Sequence, residues 1–400
     1  MSVQPYRPLD GIRLVAVEHY GSGPYGSMYF ADFGAEVIKI ENRAEGGDFS
    51  RSTGPFFLGE NDSEFFQTLN RNKKSITLNL KTKGGQEILH RLVAGAHAIT
   101  NNLRGDQPAK LGLTYDALKA VNPRIVCGHI SGYGRGNSRE TWPAFDFLMQ
   151  AEAGWMMLTG APGDPPTRAG VSVVDFKTGI TMAFGVLAGI VGARRTGKGC
   201  DIDAALFDVC MHTTTYPNTF YLNHGYDIGR KDRSSHPILC PSQLVRASDR
   251  WLFIMVITDK FWKLLLDGIG RPELAADLRF ADFPARLTNR AALTKVLDAE
   301  FSHKTAQEWI DKFAGKLPVA LVRELGEALD AEFPRERALI AIIDHPQHSG
   351  LRLIANPLLV DGQRMPVHPA PTLGAHTEPI LTALGYSSAE IAAFREADAI

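Results

Sequence analysis

Through its first 130 residues the chain repeats one pattern: a short apolar run rich in β-branched residues, a stretch with helical spacing, then another apolar run. Residues 12–17 and 36–40 read as strands, with helical spacing over 25–33 between them. Residues 75–80 alternate polar and apolar, 85–93 are helical, 98–100 are short and extended, 115–121 are helical, and 124–129 return to a strand. Strands separated by single helices must run parallel, because only a crossover carries the chain back to the same end of a sheet. The expected class is therefore α/β, a parallel sheet with helices on its faces.

The periodicity changes after Asp146. Long helical stretches run to about residue 223, broken by a Pro/Gly-rich loop at 160–170 and a strand at 200–204. Residues 223–235 (NHGYDIGRKDRSS) are polar and read as a linker. A hairpin around Ser248-Asp249 is expected over 244–256, then helices at 261–268, 293–301 and 306–313. Short strands and Pro-rich loops follow residue 330, and a helical tail starts at Glu378. A chain of 400 residues exceeds what one core usually serves, so two domains are expected.

Charge narrows the function. Lys plus Arg total 43 and Asp plus Glu 44, a balance that argues against a nucleic-acid binder. The four cysteines, Cys127, Cys200, Cys210 and Cys240, form no C-x-x-C pair, which suggests neither a metal site nor a disulfide framework. Residues 1–8 lack the apolar core of a signal peptide. The most apolar run, 180–193, is shorter than the roughly 20 residues of a membrane span and reads as a buried helix. A cytoplasmic protein without a membrane partner is the expectation.

Gly21-Ser22-Gly23-Pro24-Tyr25-Gly26 matches G-x-G-x-x-G between a strand and a helix, and Glu41 follows 20 residues after Gly21. That is the layout of a dinucleotide fingerprint. Against it, Pro24 removes one amide from the phosphate cradle, and Lys39 and Arg43 flank Glu41. A tight glycine turn without a ligand fits equally well, and an NAD-dependent oxidoreductase stands as an alternative.

Taken in order, many short stretches resemble the class III coenzyme A-transferases, the CaiB/BaiF family of formyl-CoA, carnitine and bile-acid CoA-transferases. They include Leu9-Asp10-Gly11-Ile12-Arg13, residues 34–41 (GAEVIKIE), Asn70-Arg71-Asn72-Lys73-Lys74, Ser131-Gly132-Tyr133-Gly134, residues 171–175 (VSVVD) with Thr178-Gly179, Ser235-His236-Pro237 and residues 371–377 (PTLGAHT). The resemblance runs from about residue 8 to 395. It implies a Rossmann-like large domain built from residues 1–223 and 330–400, a smaller inserted α+β domain at 224–329, and two chains interlocked as a homodimer.

The same resemblance implies an enzyme that moves coenzyme A from an acyl-CoA to a carboxylic acid, a small dicarboxylate being one possibility, without a metal. Asp175 matches the family's nucleophilic aspartate. At the start of a helix, the free amides and the dipole would favour its carboxylate; a plain helix cap is the competing role. Asp146 matches an acidic position in the active site of formyl-CoA transferase, where the residue is Glu. Positions matching the family's CoA contacts are Tyr20, Gly21, Ser22, Arg43, Leu78, Lys81, Asn102 and Lys110. Related acyl-CoA racemases carry a His before the acid equivalent to Asp146; here that position is Phe145, which transfers no proton and argues for transfer over racemisation. Arg168 and His236 are candidates for meeting a second carboxylate. Residues 255–260 (MVITDK) replace a glycine-rich loop, which argues against an oxalate-specific enzyme.

Overall fold

The computed structural model describes residues 6–400; most of the N-terminal segment 1–8 therefore lies outside the described residues. Contacts divide the chain into two units, residues 1–153, 170–215 and 332–400 in one and 154–169 with 216–331 in the other.

The larger unit is built on a six-stranded sheet. Its strands are β1 (Arg13–Val17), β2 (Glu36–Glu41), β3 (Lys74–Thr77), β4 (Ala98–Asn101), β5 (Val126–Ser131) and β6 (Cys200–Ala205). Their order is β3-β2-β1-β4-β5-β6, and every pairing is parallel. This is the doubly wound order of a Rossmann sheet. Both faces are covered, so β4 and β5 are buried at every position.

Of its helices, α1 (Ser22–Asp32), α3 (Asp146–Glu152) and α4 (Val173–Thr196) bear on the site, and α2 (Lys83–Ala94) packs in the core. The α2 helix follows the helical spacing of its sequence, with Ile88, Leu89, Leu92 and Val93 buried and the Thr82 side chain accepting from the Gly85 amide as its cap. Over 115–121 only one turn, Tyr115–Leu118, is helical. Beyond it the Val121 and Asn122 amides both donate to the Leu118 carbonyl, so the chain runs on as a turn to Asn122-Pro123.

The apolar run at 180–193 is part of a longer helix and is not wholly buried. The whole of α4 is 24 residues, long and apolar enough to cross a membrane by length and composition. One face packs on the sheet through small residues: a β-carbon on Gly189 would lie 2.7 Å from Val126 and one on Gly128 2.8 Å from Met182. The other face leaves Phe184 and Val191 about 70% exposed (74% and 69%).

The C-terminal segment covers the free edge of β3. The His376 amide donates to the Ser75 carbonyl (2.9 Å), the Thr77 amide to Thr377 Oγ1 (3.0 Å) and the Gly374 amide to Ser75 Oγ (2.9 Å). An open edge of unpaired backbone groups is thereby avoided.

The smaller unit holds β7 (Ser242–Arg246), β8 (Trp251–Met255) and β9 (Val319–Leu321), antiparallel in the order β9-β8-β7. The hairpin turns through Ser248 and Asp249, as the sequence suggests. Helices pack Trp262, Leu265, Phe301 and Trp309 against it in a separate core. The loop 154–169 belongs to this unit because Arg230 holds its carbonyls: Nη2 donates to Met156 (2.8 Å) and Nη1 to Ala161 (3.3 Å).

Candidate active site

In a doubly wound sheet the crevice opens where strand order reverses, at the carboxyl ends of the strands. Here that point lies between β1 and β4. A cavity of about 310 Å³ occupies it. Its walls come from the loop after β1 (His19, Tyr20, Gly21, Ser22), the loop after β4 (Asn102, Leu103, Arg104), the end of β5 with Trp142 and Phe145, and Asp175 of α4.

The glycine motif is what brings these segments together. A β-carbon on Gly21 would lie 2.8 Å from Asp175 Oδ2, so glycine lets the loop close against that carboxylate without displacing it. One on Gly23 would lie 2.8 Å from Glu18 and 3.1 Å from Asn102. One on Gly26 would lie 2.4 Å from the Gly179 carbonyl oxygen, where α1 and α4 cross. The fingerprint spacing thus serves loop closure and helix crossing.

Glu41 confirms that the dinucleotide layout is only apparent. It is buried and takes a bidentate pair from Arg51, Nε to Oε2 and Nη2 to Oε1, both 2.8 Å. Ser75 Oγ donates to Oε1 as well (2.6 Å), so no oxygen is left for a ribose. The Pro24 carbonyl accepts from buried Lys73 Nζ at 2.9 Å. Burial lowers the Lys73 ammonium to about 7.

A buried polar network carries the loop. Tyr20 adopts a left-handed backbone (φ 63°), and its amide donates to Asp48 Oδ1 at 3.0 Å. Asp48 in turn pairs with Lys39 at 2.7 Å, both side chains fully buried. Burial pushes the Asp48 carboxyl up, but the Lys39 charge and the amides of Ser50 and Tyr20 outweigh it and hold it well below the usual range. The Asn102 side chain clamps His19 from the other side: its Oδ1 accepts the His19 amide (2.8 Å) and its Nδ2 donates to the His19 carbonyl (2.6 Å).

Asp175 is the third residue of α4, whose N-cap is Ser172; it is not the cap. The amides expected to favour its carboxylate are already taken. Asp146 Oδ2 accepts from the Val174 amide (2.7 Å) and the Asp175 amide (2.9 Å), and Gln150 Nε2 donates to Oδ1. Asp146 is buried and does not line the cavity. Burial, then the like charge of Asp146, raises the Asp175 carboxyl to about 7. A carboxylate with that proton affinity is a stronger nucleophile than an exposed one and is still half ionised near neutrality.

The other sequence candidates fall in several places. Tyr20, Gly21, Ser22 and Asn102 line the cavity. Arg43 lies exposed after β2, Lys81 lies exposed after β3 with Glu45 at 3.6 Å, and Lys110 pairs with Asp106 at 2.5 Å beyond β4. The Leu78 side chain is buried in the core, and its amide donates to the Glu41 carbonyl at 2.8 Å. Arg168 and His236 belong to the smaller unit, where Arg168 donates to the Ala169 carbonyl and His236 Nε2 meets the Tyr216 hydroxyl at 3.2 Å. Among the polar and aromatic residues of the cavity, His19, Arg104 and Trp142 escape the sequence reading, and Ser131 enters it only as part of the Ser131–Gly134 stretch, with no site role. Their signal is positional, since each closely follows or ends a parallel strand at its carboxyl end, apart from Trp142.

Fold and site together define a doubly wound α/β protein whose switch-point cavity is lined by a carboxylate of α4, Asp175. The sequence profile of CoA-transferase family III matches residues 9–377, and the chain belongs to that family. The acetyl-CoA:oxalate CoA-transferase of Acetobacter aceti is 34% identical over 362 residues, 90% of each chain. The succinyl-CoA:mesaconate CoA-transferase of Haloarcula marismortui is 31% identical over 387 residues, 94% of this chain and 96% of the other. A crystal structure of a CaiB/BaiF family protein from Brucella suis superposes with a TM-score of 0.82 at 30% identity, over 95% of this chain and 100% of that one. The protein is an enzyme, a class III CoA-transferase using CoA thioesters.

Proposed function

We propose that the enzyme exchanges coenzyme A between two carboxylic acids, at least one a small dicarboxylate, with Asp175 as the nucleophile. The observation that carries this is the Asp175 carboxylate in the switch-point cavity, beside Gly21 and without a hydrogen bond among the described residues. The named substrates of the two relatives, oxalate and mesaconate, support the dicarboxylate class.

The steps balance as follows. An Asp175 oxygen attacks the thioester carbon of the donor; the C–S bond breaks, giving CoA thiolate and a mixed anhydride. The thiolate attacks the aspartyl carbon, the donor acid leaves as carboxylate, and an aspartyl-CoA thioester remains. The acceptor carboxylate repeats the first step on that thioester, and the returning thiolate takes the acceptor acyl group. Asp175 ends as it began. Transfer outruns hydrolysis of the anhydride when the bound acyl-CoA and acid fill the cavity and displace its water. Tyr20, Gly21, Ser22 and Asn102, with Arg43, Lys81 and Lys110 at the strand ends, form the expected CoA-binding edge; the cations suit its phosphates.

A homodimer belongs to the same reading. The exposed apolar face of α4, with Phe184 and Val191, is the kind of surface that a subunit interface covers. The four cysteines form no disulfide, which suits a cytoplasmic setting. Incubation with succinyl-CoA and a panel of dicarboxylates, followed by chromatography of the CoA esters, tests the function. A new dicarboxyl-CoA in equimolar exchange supports it; free CoA alone means hydrolysis and refutes it.

A further inference from the structure

A carboxylate in the first turn of a helix ordinarily settles on that turn's free amides, where the dipole also favours it. Asp175 is in that turn, yet its side chain makes no hydrogen bond among the described residues. The amides of Val174 and Asp175 both donate to one oxygen of Asp146, which arrives from α3. The second oxygen of Asp146 is held by Gln150 one turn along α3. Asp146 thus has the anion seat of α4, and its burial leaves it no solvent.

We propose that Asp146 is a positioning residue for the nucleophile: by occupying the amides at the start of α4 it keeps Asp175 off them and leaves the Asp175 carboxylate facing the cavity beside Gly21, under the field of a second negative charge. The proposal rests on the reading of Asp175 as nucleophile and adds how the fold activates it. Like charge at close range makes a carboxylate hold its proton more tightly, which strengthens it toward the thioester carbon.

The surroundings offer no competing charge of that kind. His19, Tyr20 and Arg104 line the same cavity, and Arg104 is tied to Asp106 at 2.6 and 3.0 Å. Lys177, on α4 itself, is exposed. Cys210 packs under α3, its Sγ 3.7 Å from the Met149 carbonyl; burial first and Asp146 second raise its thiol to about 11, so it stays neutral. Burial first and Asp146 second act on Asp175 as well.

The test follows the ionisation of Asp175 in the free enzyme by carbon-13 NMR of labelled aspartate carboxyls, the Asp175 signal being assigned by its loss in Asp175→Asn. In Asp146→Asn the midpoint should fall by about one pH unit or more, a tenfold loss of proton affinity. In Asp146→Glu, which keeps the charge, it should stay within about half a unit of wild type. Should Asp146→Asn fail to fold, Asp146→Ser carries the same expectation, since its oxygen still accepts an amide without charge. An unchanged midpoint in the neutral variants overturns the proposal. The titration needs no acyl-CoA, so absence of CoA exchange in the wild type would refute the nucleophile reading and leave this measurement standing on its own.

Discussion

Gly26 of α1 and Gly179 of α4 meet backbone to backbone: a β-carbon on Gly26 would lie 2.4 Å from the Gly179 carbonyl oxygen, and one on Gly179 2.3 Å from that of Ser22. The contact sets how near the loop after β1 comes to Asp175, one turn earlier on α4. Backbone cannot yield as a side-chain tip can. Gly26→Ala and Gly179→Ala should each cost about 2–4 kcal/mol, read as a lowered urea midpoint with an unchanged slope. Wild-type stability in either variant would mean that the crossing is looser than described.

Gly21→Ala tests the same loop at its tip. The new methyl would sit 2.8 Å from Asp175 Oδ2, a side-chain oxygen that is able to move. Gly21 has a φ of −100°, outside the left-handed region that favours glycine. The fold should persist, with a melting temperature near wild type, while kcat falls about tenfold or more and KM changes little. Equal kcat would show that the contact does not orient the nucleophile.

Asp175→Asn should be more stable than wild type at high pH. The folded protein holds the Asp175 proton to about 7, against 3.8 for an ordinary aspartate. Ionisation therefore opposes folding: the cost is absent below about pH 4, grows between about 4 and 7, and is complete above. The full shift corresponds to about 4 kcal/mol, and solvent in the cavity should reduce it to about 2. Thermal unfolding across pH 4 to 9 should show the variant's advantage open as pH rises and vanish toward pH 4. A constant difference would contradict the assignment.

The nucleophile must be ionised to attack, so kcat/KM should rise tenfold per pH unit below about 7 and level off above it. A profile flat from pH 5 to 9 would place the carboxylate in a different environment. In Asp146→Asn the rising limb should move to lower pH.

Arg51 and Glu41 are both buried, and their bidentate pair lies under the Phe66 ring, 3.7 Å from the Arg51 guanidinium carbon. Arg51→Met should cost about 3–5 kcal/mol by stranding the Glu41 carboxylate in the core. Adding Glu41→Gln should recover part of that loss in a double-mutant cycle. A mild effect of Arg51→Met alone would mean that Glu41 finds water.

The parallel sheet was legible in the sequence because β1 and β4 are short apolar runs spaced by stretches of helical period, and the glycine motif marked the loop after β1. The meaning of that motif was not legible. Spacing cannot distinguish a glycine that admits a pyrophosphate from one that admits Asp175 Oδ2 or the Gly179 carbonyl, because all three need the same missing side chain. Asp146 was visible as an acid, but its bonds to the α4 amides join residues 28 and 29 positions apart, and no local pattern announces them. His19 and Arg104 become conspicuous only once the strand order places their loops around one crevice. The exposed face of α4 was hidden because its run of small and apolar residues reads the same on both sides.

The central claim is a covalent one. Intact-protein mass spectrometry after incubation with succinyl-CoA, with hydroxylamine or borohydride trapping and peptide mapping, tests it most directly. An adduct on the peptide bearing Asp175, absent from Asp175→Ala, is the predicted result. A full rate of CoA exchange in Asp175→Ala, or an adduct mapped to another residue, would contradict it.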